Sequence, residues 1–488
     1  MKKVSVIGSG FSSLAAASYL AKYGFDVTVY EKNTHIGGRA RQFKKDGFTF
    51  DMGPTWYWMP DVFESFFADF KAKPSDFYEL KKLNPAYSVY FDVMDYVTIV
   101  DNLEDISKTF ESIEPGSGKK LQLFIEEARD NYEIAIKDLV YNPGESIFEL
   151  ITPKTIGKLN QFVGTVAKDV RKIFKNKRLQ SILEFPVLFL GAKSTNTPSF
   201  YNFMNYADFG LGTWHPKGGM YEVIKGMETL SKSLGVNFVT SANVTKISVE
   251  NNTANGIYVN DNFIASDLVL SGADYAHTEQ LLPKINRQYT DKYWEKKTFA
   301  PSSLLFYVAF DKPIENVEHH TLFFDTDFEA HAKSIYDTPE WPKKPLFYAS
   351  FPSKTDETIA PKGKEAATFL IPLAPGIEDS DEIREIYFDK IIERLEYLTK
   401  QEVKSHIIFK ESYGINNFIE DYNSYKGNAY GLANTLFQTA FLRPKLKSKK
   451  VNGLYFTGQL TVPGPGVPPS LISGKLTADL INKYETNL

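Results

Sequence analysis

The chain has 488 residues and is 43% hydrophobic, long enough for two or three packed domains and too apolar to be disordered. Its 60 acidic and 56 basic side chains leave a net charge of -4, which supplies no general attraction for nucleic acid or an anionic membrane. The absence of cysteine excludes disulfides, thiolate nucleophiles, thiolate metal ligands and CxxC redox chemistry, and suits a reducing or an oxidising compartment equally.

The opening Met1-Lys2-Lys3 looks superficially like a leader, but Gly8-Ser9-Gly10 interrupts the apolar run at once. No targeting segment is read there. No stretch approaches about 18 unbroken apolar residues, so no membrane span is expected, which leaves a position on a membrane surface open. Residues 4–7 (VSVI) predict a buried strand, residues 11–22 a helix and residues 26–30 (DVTVY) a second strand, together one βαβ unit. Pro and Gly recur from Pro54, and near residue 70 the text turns aromatic and charged, where the chain is expected to leave its first domain. Residues 120–185 read as mainly helical, and residues 219–235 as a further helix followed by several strands. The run FIASDLVLSGAD repeats the rhythm of the start and points to a return to the first domain.

From about residue 296 to 444, strands such as SLLFYVAF and AATFLIPL alternate with helices such as EIREIYFDKIIERLEYL, an α+β pattern. The strand GLYFTGQ then meets TVPGPGVPPSLISGK and a last helix. Without a short-period repeat, interleaved domains are expected. Residues 1–70, 215–295 and 445–488 would form a Rossmann-like domain of α/β class, and residues 71–214 and 296–444 an α+β substrate-binding domain. The helical region 120–214 is expected to face a membrane.

After the first strand, Gly8 allows a tight turn, Gly10 lets backbone approach a pyrophosphate, and Ser13 stands where a small residue lets helix and strand pack closely. The helix N-terminus adds unpaired N–H groups and a positive dipole end. Glu31 closes the second strand, where a carboxylate accepts from ribose hydroxyls and disfavours a 2′-phosphate. Gly37-Gly38-Arg39-Ala40 adds backbone and guanidinium donors for a diphosphate. The turn by itself fits NAD about as well as FAD.

GxGxxS, YEKN, GGRA and GFTFDMGPTWYWMP together resemble the bacterial and fungal carotenoid desaturases of phytoene desaturase type, within the FAD-dependent amine-oxidase-like flavoproteins. Trp214-His215-Pro216-Lys217-Gly218-Gly219-Met220 is similar to that family's segment at the domain boundary. Phe456-Thr457-Gly458 with Pro463-Gly464-Pro465-Gly466-Val467-Pro468 is similar to its C-terminal flavin motif, with Gln459 where Ala or Asp is common. The resemblance implies that the first motifs hold the ADP half of FAD, that Asp51 to Thr55 lie near the flavin end, and that Val244 meets the adenine. The cofactor set expected from motifs and resemblance is Gly8, Ser9, Gly10, Phe11, Ser12, Glu31, Lys32, Gly38, Arg39, Gly53, Pro54, Thr55, Val244, Gly458, Gly466 and Val467.

Aromatic residues make up 15% of the chain. Those at 55–70, 182–191 and 200–214 serve either as core or as the wall of a long apolar channel, with ILEFPVLFLG the expected mouth at a bilayer. The resemblance implies desaturation of an acyclic carotenoid, phytoene towards lycopene, by hydride transfer to flavin N5 and proton loss, with oxygen or a quinone as oxidant. The alternatives are desaturation of a hydroxylated acyclic carotenoid such as a 1'-hydroxycarotenoid at the 3,4 bond, an isomerase, and a non-catalytic flavin scaffold at membranes. The expected location is peripheral, on the cytoplasmic side of the membrane. No metal site is read, because the adjacent His319 and His320 suit a turn better than one ion. Glu184 and Asp208, acids within the aromatic tracts, are the candidates for orienting substrate or taking a proton. His215 is read as structural.

Overall fold

Strand Lys3–Ile7 is buried at four of its five positions, as its apolar text requires. The computed structural model describes residues 1–435 and 437–486, with the side chains of residues 159 and 188–190 outside the described set. Lys3–Ile7 is the middle of a five-stranded parallel sheet in the order Leu454–Phe456, Leu268–Ser271, Lys3–Ile7, Asp26–Tyr30, Asn237–Val239. Three distant stretches of chain therefore meet in one sheet.

Helix Phe11–Lys22 follows the first strand, and its first ten residues are all buried. A helix without a polar face must be covered on several sides. Its small residues allow this. A Cβ on Gly474, in the last helix Val467–Glu485, would lie 2.4 Å from the Ser12 carbonyl oxygen and 2.7 Å from the Ala15 Cβ. The first and last helices thus touch backbone to backbone.

A second sheet has seven strands in the order Ile407–Tyr413, Ser302–Phe310, Glu365–Leu373, Phe347–Ser350, His320–Phe323, Tyr87–Asp92, Asp95–Ile99. Its pairs are antiparallel except the one between His320–Phe323 and Tyr87–Asp92. Ser302–Phe310 is buried along its whole length, and its two faces have different neighbours because side chains alternate. Leu304, Phe306, Val308 and Phe310 pack with residues of helix Asp381–Thr399 such as Phe388 and Ile391, while Leu305, Tyr307 and Ala309 meet Phe48 and Phe50. An antiparallel three-stranded sheet, Val244–Glu250, Thr253–Val259 and Asn262–Ala265, precedes the return to the parallel sheet.

The region from Leu103 to Phe209 is helical, with a π-helical turn at Ala135–Leu139 after helix Ser117–Ile134. The expected mouth at ILEFPVLFLG is corrected here. Ile182, Leu183, Phe185 and Val187 are buried, because helix Lys177–Glu184 and the turn after it face the core; residues 188–190 fall outside the described side chains. Strongly exposed apolar side chains lie elsewhere, among them Phe148, Val163, Ile285 and Phe437, 76%, 81%, 81% and 79% exposed. Among the described residues no helix is long and apolar enough to cross a membrane.

Candidate functional site

A cavity of about 440 Å³ begins at the C-terminal ends of the parallel strands and extends to the seven-stranded sheet. That end of a parallel sheet is where loops open a crevice for ligands. Gly8 to Ser12, Glu31, Lys32, Gly38, Arg39, Gly53 to Thr55, Val244, Gly458, Gly466 and Val467 all line it. Glu184 and Asp208 do not.

The polar end is built on the first turn. Gly8 has φ +85°, and the Glu31 carboxylate accepts from the Ser9 amide at 3.0 Å, the Ser9 hydroxyl at 2.5 Å and the Asn33 amide at 2.8 Å. Glu31 therefore holds the turn in shape, while its Oε1 keeps room for a further donor. The helix beginning at Phe11 presents its first N–H groups to the same space.

Arg39 is half-buried. Its Nη2 donates to Ser424 Oγ at 3.0 Å and to the Asn428 carbonyl at 3.1 Å, and its Nε has no partner among the described residues. Burial lowers its pKa, with Asp274 the main opposing charge. A guanidinium taken out of water with an unused N–H, beside a glycine turn and a helix N-terminus, fits a diphosphate. Gly53 closes the wall behind it, since a Cβ there would come within 2.1 Å of the Arg39 carbonyl oxygen. Lys32 is turned towards the chain, donating to the Glu420 carbonyl.

Two motifs far apart in sequence are joined by Asp51. Its carboxylate accepts from the Met220 amide at 2.6 Å, the Tyr221 amide at 3.3 Å and Gln42 Nε2 at 3.1 Å. It thus satisfies the start of helix Tyr221–Ser233, and burial pushes its pKa up to about 6 in spite of those donors. His215 is bonded through Nε2 to Asp356 at 2.9 Å, and the Gly218 amide donates to the same carboxylate at 2.6 Å. These contacts lock the segment around Gly218 against the sheet.

Beyond Thr55 the lining turns apolar, with Leu322, Phe324, Phe328, Leu346, Phe347 and Leu370. Most of this arm was not legible in the sequence. Its residues come from His320–Phe323, Phe347–Ser350 and Glu365–Leu373, and from helix Phe328–Tyr336, segments with no motif. Of the aromatic tracts only a few members, among them Trp56, Trp58 and Phe185, reach the cavity, while Phe63, Phe66 and Phe67 are core.

Both oxygens of Glu184 are engaged by Arg171 at 2.8 Å, and Ser194 donates to Oε2 at 2.7 Å. Arg171 also binds Glu329, so Glu184 ties helices together. Asp208 accepts from Tyr87 at 2.7 Å and has one oxygen without a partner. Burial pushes its pKa up to about 8. The carboxyl sits behind Tyr87, which packs edge-on against Trp56.

A parallel sheet whose glycine turn, carboxylate and half-buried arginine converge on one end of an apolar cavity defines an FAD-binding oxidoreductase. The chain belongs to the flavin containing amine oxidoreductase family, whose model matches residues 11–482, and within it to the carotenoid desaturases. It is 40% identical to a carotenoid 3,4-desaturase of Haloarcula japonica over 98% of this chain and 97% of that one. It is 33% identical to a 4,4'-diapophytoene desaturase (4,4'-diaponeurosporene-forming) of Staphylococcus aureus over 98% of each. In fold it matches an oxidoreductase from Methanosarcina mazei, with TM-score 0.65 and 19% identity over 98% of this chain and 100% of that one. A putrescine oxidase also matches, with TM-score 0.63 and 13% identity over 99% of each.

Proposed function

We propose that this enzyme desaturates an acyclic carotenoid close to an end group that has already been modified, as a 3,4-desaturase does, and not phytoene towards lycopene. The observation that carries this reading is the similarity to the carotenoid 3,4-desaturase, which runs over nearly the whole of both chains. The apolar arm supports it, since a polyene needs walls and offers almost nothing to hydrogen-bond.

FAD supplies hydride acceptance. The chain's own contribution is placement. Gly8 to Ser12 and Arg39 would hold the cofactor's diphosphate, Glu31 the ribose and Val244 the adenine, with Thr55, Gly458, Gly466 and Val467 left to hold the flavin end. Leu322, Phe324 and Leu370 align the polyene and exclude water. Residues 1–70, 215–295 and 445–488 act as the cofactor domain and the remainder as the substrate domain, and the bound flavin would need oxygen or a quinone as its oxidant. Peripheral membrane contact is supported by the exposed Phe148, Ile151, Val163 and Phe437, each of which gains by leaving water for lipid.

Three substrates in liposomes test the reading: phytoene, lycopene and a 1-hydroxylated acyclic carotenoid, with products identified by chromatography. Conversion of the hydroxylated compound with loss of two hydrogens is expected. Conversion of phytoene alone would overturn it, and a product with unchanged hydrogen content would make the enzyme an isomerase.

A further inference from the structure

Desaturation removes a proton as well as a hydride, and neither acid in the aromatic tracts lines the cavity. Another group does. Tyr348, on strand Phe347–Ser350, lines the cavity where the polar end meets the apolar arm. Its hydroxyl lies 2.8 Å from Thr55 Oγ1 on one side and 2.6 Å from His320 Nδ1 on the other. His320 is buried on the neighbouring strand, where its partner across the pair is Ser350. Its ring stacks on Trp56 with centroids 4.0 Å apart and planes 11° apart, so it cannot turn away. Its Nε2 has no partner among the described residues. Behind it stand His319, with centroids 4.4 Å away, and His215, bonded to Asp356. Three of the chain's seven histidines are thus buried in one cluster, and buried imidazoles with an unused nitrogen are costly to keep as filling.

We propose that Tyr348 takes the substrate proton and that His320 receives the phenolic proton in the same step. The proposal rests on the desaturase reading above. One substrate C–H bond breaks with its electron pair leaving as hydride to oxidised FAD. On the neighbouring carbon a second C–H bond breaks, and its electron pair becomes the new π bond. The released proton goes to the Tyr348 oxygen as the tyrosine O–H proton passes to His320 Nδ1. Burial holds His320 well below the ordinary imidazole range, with His215 contributing, and holds Tyr348 above the ordinary phenol range, so both stand neutral beforehand. A weak base suffices, because a C–H bond beside a carbon that has lost hydride is strongly acidic.

The test uses the FAD-loaded enzyme, Tyr348→Phe and His320→Gln, with the carotenoid that the wild type converts. Two quantities are read: the anaerobic single-turnover rate of flavin bleaching, and the equilibrium affinity for the polyene from its absorbance shift on enzyme whose flavin has been reduced beforehand. The expected result is bleaching slowed by about tenfold or more in both variants, with affinity within about threefold of wild type. Bleaching slowed by less than about tenfold in Tyr348→Phe overturns the proposal. So does an affinity loss that accounts for the whole effect, which would make the pair an end-group binding site. Should His320→Gln bind no FAD, Tyr348→Phe decides alone, since removing one oxygen leaves the ring packing in place. A wild type that bleaches with no acyclic carotenoid refutes the desaturase reading itself, a result separate from either variant's.

Discussion

The two ends of the cavity are made in different ways. The cofactor end is mostly local backbone: a glycine turn, a helix start and the loop at Gly37 to Ala40, with Glu31 reaching back about twenty residues to Ser9. The substrate end is mostly side chains on one face of a mixed sheet and on helix Phe328–Tyr336, contributed by separate parts of the chain. The first recognises a charged ligand through N–H groups that any sequence can present if its glycines are in place. The second recognises shape, so the lining residues could be exchanged for others of the same volume without leaving a trace in a motif.

Substitutions at the two ends should therefore fail differently. The largest effect is expected from Gly53→Val at the cofactor end, whose added carbons must displace the Arg39 carbonyl. The protein should purify without yellow colour and with several kcal/mol less stability, read by flavin absorbance and urea unfolding. Arg39→Met should retain the fold and weaken FAD binding by about 10- to 100-fold, the worth of a charge-assisted contact, measured by flavin fluorescence titration. At the other end, Leu370→Trp should leave FAD affinity unchanged while raising KM about tenfold or more, because the arm loses volume. If Leu370→Trp weakens FAD as much as Arg39→Met does, the two ends are not separable.

A smaller effect sharpens the contrast by pH. The Asp208 carboxyl keeps its proton up to about 8 in the folded protein against an ordinary value of 3.8. The folded state thus binds more protons than the unfolded one between those values, and the stability this group contributes is present at low pH and lost as pH rises through about 8. Asp208→Asn should flatten that fall by on the order of a few kcal/mol. Thermal melts at about pH 5, 7 and 9 check it, and a variant with the wild-type slope would contradict the burial argument.

The legible part of the fold was the part with short-range rules. Strand Asp26–Tyr30 and helix Phe11–Lys22 coincide with their sequence-based spans, because hydrophobic period and glycine punctuation act over a few residues. Asp51 was legible as part of a motif, yet its role at the start of helix Tyr221–Ser233 was not, since its partners are about 170 residues away. The aromatic tracts misled for a related reason. Phe66 in the core and Trp56 on the wall satisfy the same burial preference, and only the packed structure says which faces a void.

The amino-acid sequence alone determined the dinucleotide turn, the set of residues that lines the cavity around it and the family, because those depend on residue types at fixed spacing. Tertiary structure decided the rest: that Gly474 lets the last helix lie on the first, that Glu184 is spent on Arg171, and that Tyr348 meets His320 beside Thr55. The last of these is set by the pairing of the strands that carry His320 and Tyr348, and strand register is chosen by the burial of whole sheet faces, not by any local pattern.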